Sequence, residues 1–287
     1  MLTIKATDLY NQLEKDFVTP AMTDNWFEYM SKLEGYLCDN FKQRSIGLMC
    51  DFTNEINKVY TAVFPSDEVL SKILDDGITD AMLFLHHALV WDLSKDPSVA
   101  FYQPNAELLD KLQERRVSLF CYHAPLDNFG EYSVSTTLAN ALGVTIEKPF
   151  AEDGGILCGV IGTTDCKNIH ELNERYSQVV GHKTKLYQYG NSEITNDRIG
   201  ICAGGGNDEG VVTDLIENGV NVLITGLSVN NTYSATTHEL EKQHKINLLG
   251  GTHYSSEKFA CIAICNYFKK LGLTAEFITD KPCMEDL

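Results

Sequence analysis

Short apolar runs typical of β-strands alternate with helical patterns along most of this 287-residue chain. This alternation limits the fold more than any other feature, because strands separated by helices usually pair in parallel. The strand-like runs are Lys58–Phe64, Ala81–Leu85, Val117–Tyr122, Arg198–Cys202, Val220–Thr225 and Ile246–Leu249. The sequence therefore predicts an α/β protein with a largely parallel sheet or sheets.

Helical spacing of apolar residues marks most of the intervening segments. The stretch from residue 147 to residue 196 is different, because it is rich in Gly and Thr and its pattern predicts only short strands. The predicted helices are Asp8–Phe17, Asn25–Leu37, Ser66–Asp75, Ala106–Glu114, Tyr132–Leu142, Gly210–Glu217, Thr237–Lys242 and Glu257–Lys270.

Composition excludes several classes of protein. Hydrophobic residues make up 44% and charged residues 22%, as in folded globular proteins. The formal net charge is −17, from 23 basic and 40 acidic residues, which argues against bulk nucleic-acid or anionic-membrane binding. No apolar run reaches the length of a membrane span, the start does not resemble a signal peptide, and the nine cysteines form no Cys-x-x-Cys pair. We expect a cytoplasmic protein without membrane association.

Imidazoles and carboxylates follow three of the strand-like runs. Ligands of open α/β sheets bind beyond the carboxyl ends of the strands, so these side chains are candidates for a functional site. Together they suit divalent metals such as Zn, Fe, Mn, Co or Ni. The residues are His86, His87, His123, Asp127, His253 and Glu257.

Each part of this pattern also has a plain structural interpretation. An isolated His-His pair is more often one buried and one exposed histidine, and Asp127 also suits a turn or a helix N-cap. Glu257 also suits the first turn of a helix as a favourable charge. His253 and Glu257 are four residues apart near a helix start, where Ser255 and Ser256 are good caps, so their side chains would share one face. The combination at three strand ends favours a metal site.

Gly204–Gly206 follows a strand-like run and precedes a predicted helix. Its position resembles a phosphate-cradling loop, but Glu209 stands where the third glycine of a dinucleotide motif would be expected. A plain turn is an equally good interpretation.

In their order, these motifs resemble the NIF-three-like family of dinuclear-metal proteins, whose members are called GTP cyclohydrolase I type 2 homologs. The similarity extends from Val59 to Lys270. The first and second segments carry the paired histidines and the His-x-x-x-Asp motif, and the last carries His253 and Glu257. The similar segments are Leu83–Trp91, Tyr122–Asp127, Thr137–Gly143, Ile199–Gly206, Val222–Gly226 and Gly251–Glu257.

The resemblance implies a two-lobed α/β fold with two divalent metal ions per subunit in the cleft between the lobes. The metal ions would be Zn, Fe, Mn, Co or Ni, and His123 would lie beside them or at the substrate. The first lobe would contain residues 1–130 and 245–287, and the second residues 131–244. A homohexamer is the expected assembly. The implied ligands are His86, His87, Asp127, His253 and Glu257, with Glu257 bridging the two ions.

Two functions are consistent with this resemblance. The first is a metal-dependent hydrolase, either GTP cyclohydrolase-like or a phosphoesterase or amidohydrolase, with His123 and Glu257 as the catalytic residues. Its substrate would be a small molecule, for example a nucleotide such as GTP, attacked by metal-activated water. The second is a non-enzymatic metal-binding or protein-interaction scaffold. The family often carries an acidic residue and a histidine at the positions of Leu227–Asn230. This chain lacks both, which favours the second function.

Overall fold

The computed structural model describes residues 3–96 and 99–287, and the chain divides into two compact units. The first unit contains Met1–Leu126 and Cys261–Lys281, and the second contains Asp127–Ala260 and Pro282–Leu287. The division predicted above assigned all of residues 245–287 to the first lobe. Residues 127–130, 245–260 and 282–287 instead belong to the second unit. For residues 245–260 the reason is that the strand Asn247–Gly250 pairs within that unit's sheet.

A five-stranded sheet forms the centre of the first unit. Four of its strands are parallel to one another. The fifth, the edge strand Gly47–Cys50, is antiparallel to its neighbour. Every residue of its two central apolar strands, Ala81–Leu85 and Val117–Cys121, is buried, as expected for a sheet covered on both faces. In order across the sheet, the strands are Thr274–Phe277, Lys58–Ala62, Ala81–Leu85, Val117–Cys121 and Gly47–Cys50.

The helices of the first unit pack apolar residues against this sheet. The structure confirms two of the predicted helices, Asp67–Asp75 and Ala106–Glu114. Ser66 caps one by accepting a hydrogen bond from the N–H of Val69, and Asn105 caps the other by accepting one from Glu107. Two short antiparallel pairs join Ile4–Lys5 to Glu55–Ile56 and Val90–Trp91 to Phe101–Tyr102. The helices are Ala6–Phe17, Asp39–Arg44, Asp67–Asp75 and Ala106–Glu114, and the short helix Ala124–Asp127 spans the boundary between the units.

The predicted α-helix over residues 25–37 is wrong. The segment forms two 3₁₀ turns, Trp26–Tyr29 and Ser31–Leu33, because Met30 between them has a non-helical conformation with φ −117° and ψ 27°. Met30 and Leu33 are nevertheless buried in the core. The apolar spacing therefore predicted the burial of these two residues correctly, but the segment forms short 3₁₀ turns and not a continuous helix.

The second unit is built on a six-stranded mixed sheet. Its three central strands are parallel, as predicted, and antiparallel strands flank them on both sides. In order across the sheet, the strands are Lys185–Tyr187, Asn247–Gly250, Val222–Thr225, Arg198–Cys202, Ile156–Thr163 and Thr145–Asp153.

The sequence analysis did not predict the helix Ile169–Val180 of the second unit. A local signal for it exists, because Asn168 accepts hydrogen bonds from two N–H groups of the first turn, and four apolar residues follow at helical spacing.

Within residues 3–96 and 99–287, no helix combines the length and the apolar character needed to cross a membrane. The other helices are Val134–Ala141, Glu209–Glu217, Ala235–His244 and His253–Lys270, and the last of these ends among the residues of the first unit; a 3₁₀ turn lies at Thr195–Asp197 and another at Met284–Asp286.

Two titratable side chains are buried in the helix Ala235–His244. His238 and Glu241 have no exposed surface, and Nδ1 of His238 lies 3.3 Å from Oε2 of Glu241. The Tyr189 hydroxyl donates to that Nδ1 at 2.7 Å, and Nε2 of His238 donates to the Ser228 carbonyl oxygen at 3.2 Å. Burial raises the pKa of Glu241 to about 8 and lowers the pKa of His238. Both side chains are therefore neutral near pH 7.

We expect the stability difference between Glu241→Gln and the parent chain to change with pH. The pKa of Glu241 is about 8 in the folded chain and near 4.5 when unfolded. Between these values the folded state binds more protons, so the stability of the parent falls as the pH rises. At about 1.4 kcal/mol per pKa unit, the fall is on the order of 3–5 kcal/mol, and the glutamine variant does not share it. Urea titrations at pH 5 and pH 8.5 measure the two free energies of unfolding.

Glu239→Gln is the matched control, because this carboxylate lies on the same helix with 72% of its side chain exposed. Its stability difference from the parent should not change between the two pH values. The lowered pKa of His238 changes the free energy of unfolding in the opposite direction. Its contribution to stability is present above the pKa of the unfolded state and is lost as the pH falls. The comparison with the parent removes this contribution. A difference for Glu241→Gln that stays constant with pH would contradict a buried, protonated carboxyl group.

Candidate metal centre

The strand Ala81–Leu85 presents two adjacent histidines at its carboxyl end. The backbone N–H groups of His86 and His87 donate to the carbonyl oxygens of Ala62 at 3.2 Å and Val63 at 2.9 Å, so they continue the pairing with the neighbouring strand. Their side chains are 0% and 2% exposed. The interpretation of one buried and one exposed histidine is therefore wrong.

Three imidazoles converge in the first unit. One ring nitrogen from each of His86, His87 and His123 lies within 4.8 Å of the other two. The rings of His86 and His123 are stacked, with centroids 5.1 Å apart. Nδ1 of His86 donates to the Tyr122 carbonyl oxygen at 3.1 Å, which places the lone pair of that ring on Nε2, the form that binds a metal.

Two residues from the amino-terminal segment hold this cluster in place. Nδ1 of His123 donates to Oδ1 of Asp24 at 3.2 Å, and the N–H of Ala124 donates to Oδ2 at 3.1 Å. Trp26 packs edge-on against His123, with ring centroids 4.8 Å apart. The sequence analysis missed both residues. No local signal could have found Asp24, because 99 positions separate it from His123.

In the second unit, the helix His253–Lys270 carries the two predicted ligands in its first turns. Nε2 of His253 lies 3.2 Å from Oε1 of Glu257, the separation expected for residues four apart on one helix face. Both side chains are buried, at 4% and 2% exposed. The two predicted ligands therefore share one face of the helix.

The cap of this helix is Thr252, whereas the sequence analysis assigned that role to Ser255 and Ser256. Oγ1 of Thr252 accepts from the N–H of Ser255 at 3.2 Å, and Oγ of Ser255 accepts from the N–H of Thr252 at 3.1 Å. This reciprocal pair is a capping box. Asp286, fully buried, also accepts from the N–H of His253 at 2.8 Å. Asp286 is a further residue that the sequence analysis missed.

The glycine-rich loop lies directly against the predicted ligands of the second unit. The N–H of Gly204 donates to Oγ of Ser256 at 2.9 Å, and the residue has a φ of +68°. A Cβ atom placed on Gly204 would overlap with Oε1 of Glu257 and lie 3.2 Å from Nε2 of His253. Only glycine therefore fits at this position.

Two carboxylates approach each other in the second unit. One oxygen of Asp127 and one of Glu257 lie within 4.8 Å of each other, and Glu257 is almost fully buried. Two like charges at this distance, one of them buried, repel each other unless a cation compensates them. Imidazole nitrogens and carboxylate oxygens are the donors that borderline divalent metals prefer. The donor chemistry of both units therefore fits a divalent metal ion.

Comparisons with known proteins agree with the motifs. The family model described as Duf34/NIF3 (NGG1p interacting factor 3) matches residues 33–282. The GTP cyclohydrolase 1 type 2 homolog of Pyrococcus horikoshii is 26% identical over 82% of this chain and 89% of its own length. The homolog of that name from Deinococcus radiodurans is 25% identical over 81% of this chain and 83% of its own length.

A solved structure described as protein ybgI, of unknown function, matches the fold. It covers 97% of this chain and 100% of its own, with a TM-score of 0.75 and 20% sequence identity. At that identity the match concerns the fold alone. The match of the family model to most of the chain confirms the resemblance drawn from the histidine and carboxylate motifs, and this chain belongs to the Duf34/NIF3 family.

Proposed function

We propose that the chain binds a pair of divalent metal ions and acts as a hydrolase on a small molecule. The single observation that supports this most strongly is the composition of two clusters whose side chains are mostly buried. The first unit offers imidazoles alone, and the second offers an imidazole with two carboxylates. Following the family resemblance, we assign both sets to one dinuclear centre, with Glu257 as the bridging ligand. The proposed ligands are His86, His87, Asp127, His253 and Glu257.

The chain's own residues would then orient and transfer protons at the substrate. Divalent ions held by these ligands would supply Lewis-acid activation of a carbonyl or phosphoryl group and of water. Asp24 holds Nδ1 of His123, so Nε2 of that ring is the atom that would accept or donate a proton. Phe64 stacks on His87 with ring centroids 4.7 Å apart, and both residues are buried.

The name of the relatives, GTP cyclohydrolase 1 type 2 homolog, makes GTP the first substrate to test. For the test, metal is removed from the purified protein by chelation, and separate samples are then reloaded with Zn, Mn, Fe, Co or Ni. Mass spectrometry measures metal per chain, and turnover is measured on GTP, a phosphoester panel and a cyclic-amide panel. Anomalous scattering should show two peaks about 3.5–4 Å apart, as in other two-metal centres.

Two bound ions per chain, with turnover that chelation abolishes, would support the proposal. Stoichiometric metal without turnover on any panel would overturn the hydrolase and favour the non-enzymatic scaffold. A chain that cannot be loaded with any of the five metals would overturn the metal centre itself. The homohexamer and the cytoplasmic location stay predictions, and mass photometry of the purified chain checks the first.

Asp24→Ala is expected to lower kcat/KM about 10–100-fold while the metal content stays unchanged. The reason is that Asp24 orients His123, and loss of a residue that orients a site histidine typically costs this much. Steady-state kinetics on the best substrate, together with metal analysis, measures both effects. Asp39→Ala is the control, since that carboxylate is 94% exposed. Unchanged kcat/KM in Asp24→Ala would show that the orientation of His123 does not matter for turnover.

A further inference from the structure

Asn207 stands out among the side chains that the proposed centre does not use. It follows the glycine-rich loop of the second unit and is 9% exposed. Neither Oδ1 nor Nδ2 of its amide has a hydrogen-bond partner among the described residues. A buried polar group without a partner is uncommon in folded proteins, because it loses its hydrogen bonds to water and gains none in return.

The local structure does not account for this amide. Asparagine often caps a helix, and the helix Glu209–Glu217 begins two residues later. Asp208 fills that role, because its side chain accepts from the N–H of Gly210 at 2.7 Å and from that of Val211 at 2.9 Å. The amide of Asn207 therefore contributes nothing to the cap.

The position of the loop relates Asn207 to the predicted metal ligands. The carbonyl oxygen of Gly204 accepts from the N–H groups of Gly226 and Leu227, at 3.1 Å and 2.9 Å, so the loop is held at the carboxyl ends of parallel strands. One side of the loop packs on Glu257, as described above. Gly205 is exposed, and a Cβ atom placed on it would have no neighbour within 4 Å. The loop thus has Gly204 against the predicted metal ligand Glu257, whereas Gly205 is exposed to solvent.

We propose that Asn207 binds the substrate through a lactam edge, on which a carbonyl oxygen and an N–H group are adjacent; this inference rests on the proposed function. A primary amide has one acceptor and one donor side by side, so it forms two parallel hydrogen bonds with such an edge. Guanine and uracil rings carry this edge. A phosphate or carboxylate only accepts and would leave Oδ1 of Asn207 without a partner. Adenine and cytosine also carry a donor beside an acceptor. Guanine, the base of the first substrate to test, presents that pair as a lactam, so the substrate class we infer is a cyclic amide with a ring N–H.

The test compares the binding of matched ligands by isothermal titration calorimetry, to metal-loaded and chelated protein. Guanosine and uridine carry the ring N–H, and 1-methylguanosine and 3-methyluridine lack it. The parent should bind each unmethylated nucleoside at least about 10-fold more tightly than its methylated partner, since a site built to pair with a polar group discriminates against its loss. Asn207→Leu should bind both members of each pair equally. Asn230→Leu, at an exposed position, should retain the preference of the parent.

A stability measurement on Asn207→Leu separates a binding role from a structural one. Leucine has nearly the same shape and no polar atom, so its melting temperature should equal or exceed that of the parent if the amide has no internal partner. A lower melting temperature, or equal binding of the methylated and unmethylated nucleosides by the parent, would overturn the inference. Binding that depends on Asn207 but without turnover would overturn the proposed hydrolase alone. Turnover of lactams that is unaffected in Asn207→Leu would overturn the inference alone.

Discussion

Glu257→Ala is expected to reduce the metal content of the loaded chain from about two ions to at most one, and to abolish turnover. This carboxylate would be the bridging ligand of the proposed centre. One oxygen of Asp127, a carboxylate of the same unit, lies within 4.8 Å of it. The loss in affinity should exceed the roughly 10–100-fold that removal of a merely supporting residue costs. Metal analysis after gel filtration and calorimetric titration with the preferred ion measure the effect.

Glu209→Ala is the control for this experiment, because it removes an exposed glutamate from the first turn of another helix in the same unit. It should bind as much metal as the parent. Circular dichroism and the melting temperature of the chelated proteins establish that Glu257→Ala remains folded. Full metal content in folded Glu257→Ala would contradict the assignment of Glu257 as a ligand.

Gly204→Ala is expected to destabilise the chain by about 2–5 kcal/mol and to weaken metal binding. A residue with a side chain is strained at a φ of +68°, which costs on the order of 1–3 kcal/mol. The new methyl group would also overlap with Oε1 of Glu257, and overpacking a buried site adds a similar cost. Displacement of that carboxylate explains the expected loss of metal. Urea denaturation and calorimetry on the same preparations measure the two effects.

Gly205→Ala, at the adjacent position, provides the matched control. Its added methyl group would meet nothing within 4 Å, so the free energy of unfolding should stay within about 0.5 kcal/mol of the parent. Equal stabilities of the two alanine variants would show that the loop can move away from Glu257 at no cost. The close approach of Gly204 would then have no bearing on the metal ligands.

Several parts of the fold could be predicted because they depend on neighbours in the sequence. The fully buried strands Ala81–Leu85 and Val117–Cys121 appear in the sequence as unbroken apolar runs. The spacing of His253 and Glu257 places them on one helix face, because helical geometry brings residues four apart together. The structure has their side-chain atoms 3.2 Å apart. The same kind of local signal preceded the helix Ile169–Val180, where Asn168 is the cap, but the surrounding Gly and Thr obscured it.

Other features could not be predicted, because periodicity reports burial and not conformation. The apolar spacing of Trp26, Met30 and Leu33 reports packing in the core, whereas the backbone forms 3₁₀ turns that break at Met30. The boundary between the units is a second example. Residues 245–260 follow the pairing of Asn247–Gly250 with Val222–Thr225, and strand pairing between distant segments leaves no trace in the local pattern.

The same distinction between local and long-range features applies to the candidate metal centre. Local patterns identified the α/β class and the histidines and carboxylates that follow the strands, since the end of a strand is a property of a few consecutive residues. Long-range packing determined how those side chains are oriented and supported. His86 is oriented by Tyr122 from 36 positions away, His123 by Asp24 from 99, and His253 by Asp286 from 33. The physical reason is that these hydrogen bonds form only after the sheets and helices have packed and brought distant parts of the chain together.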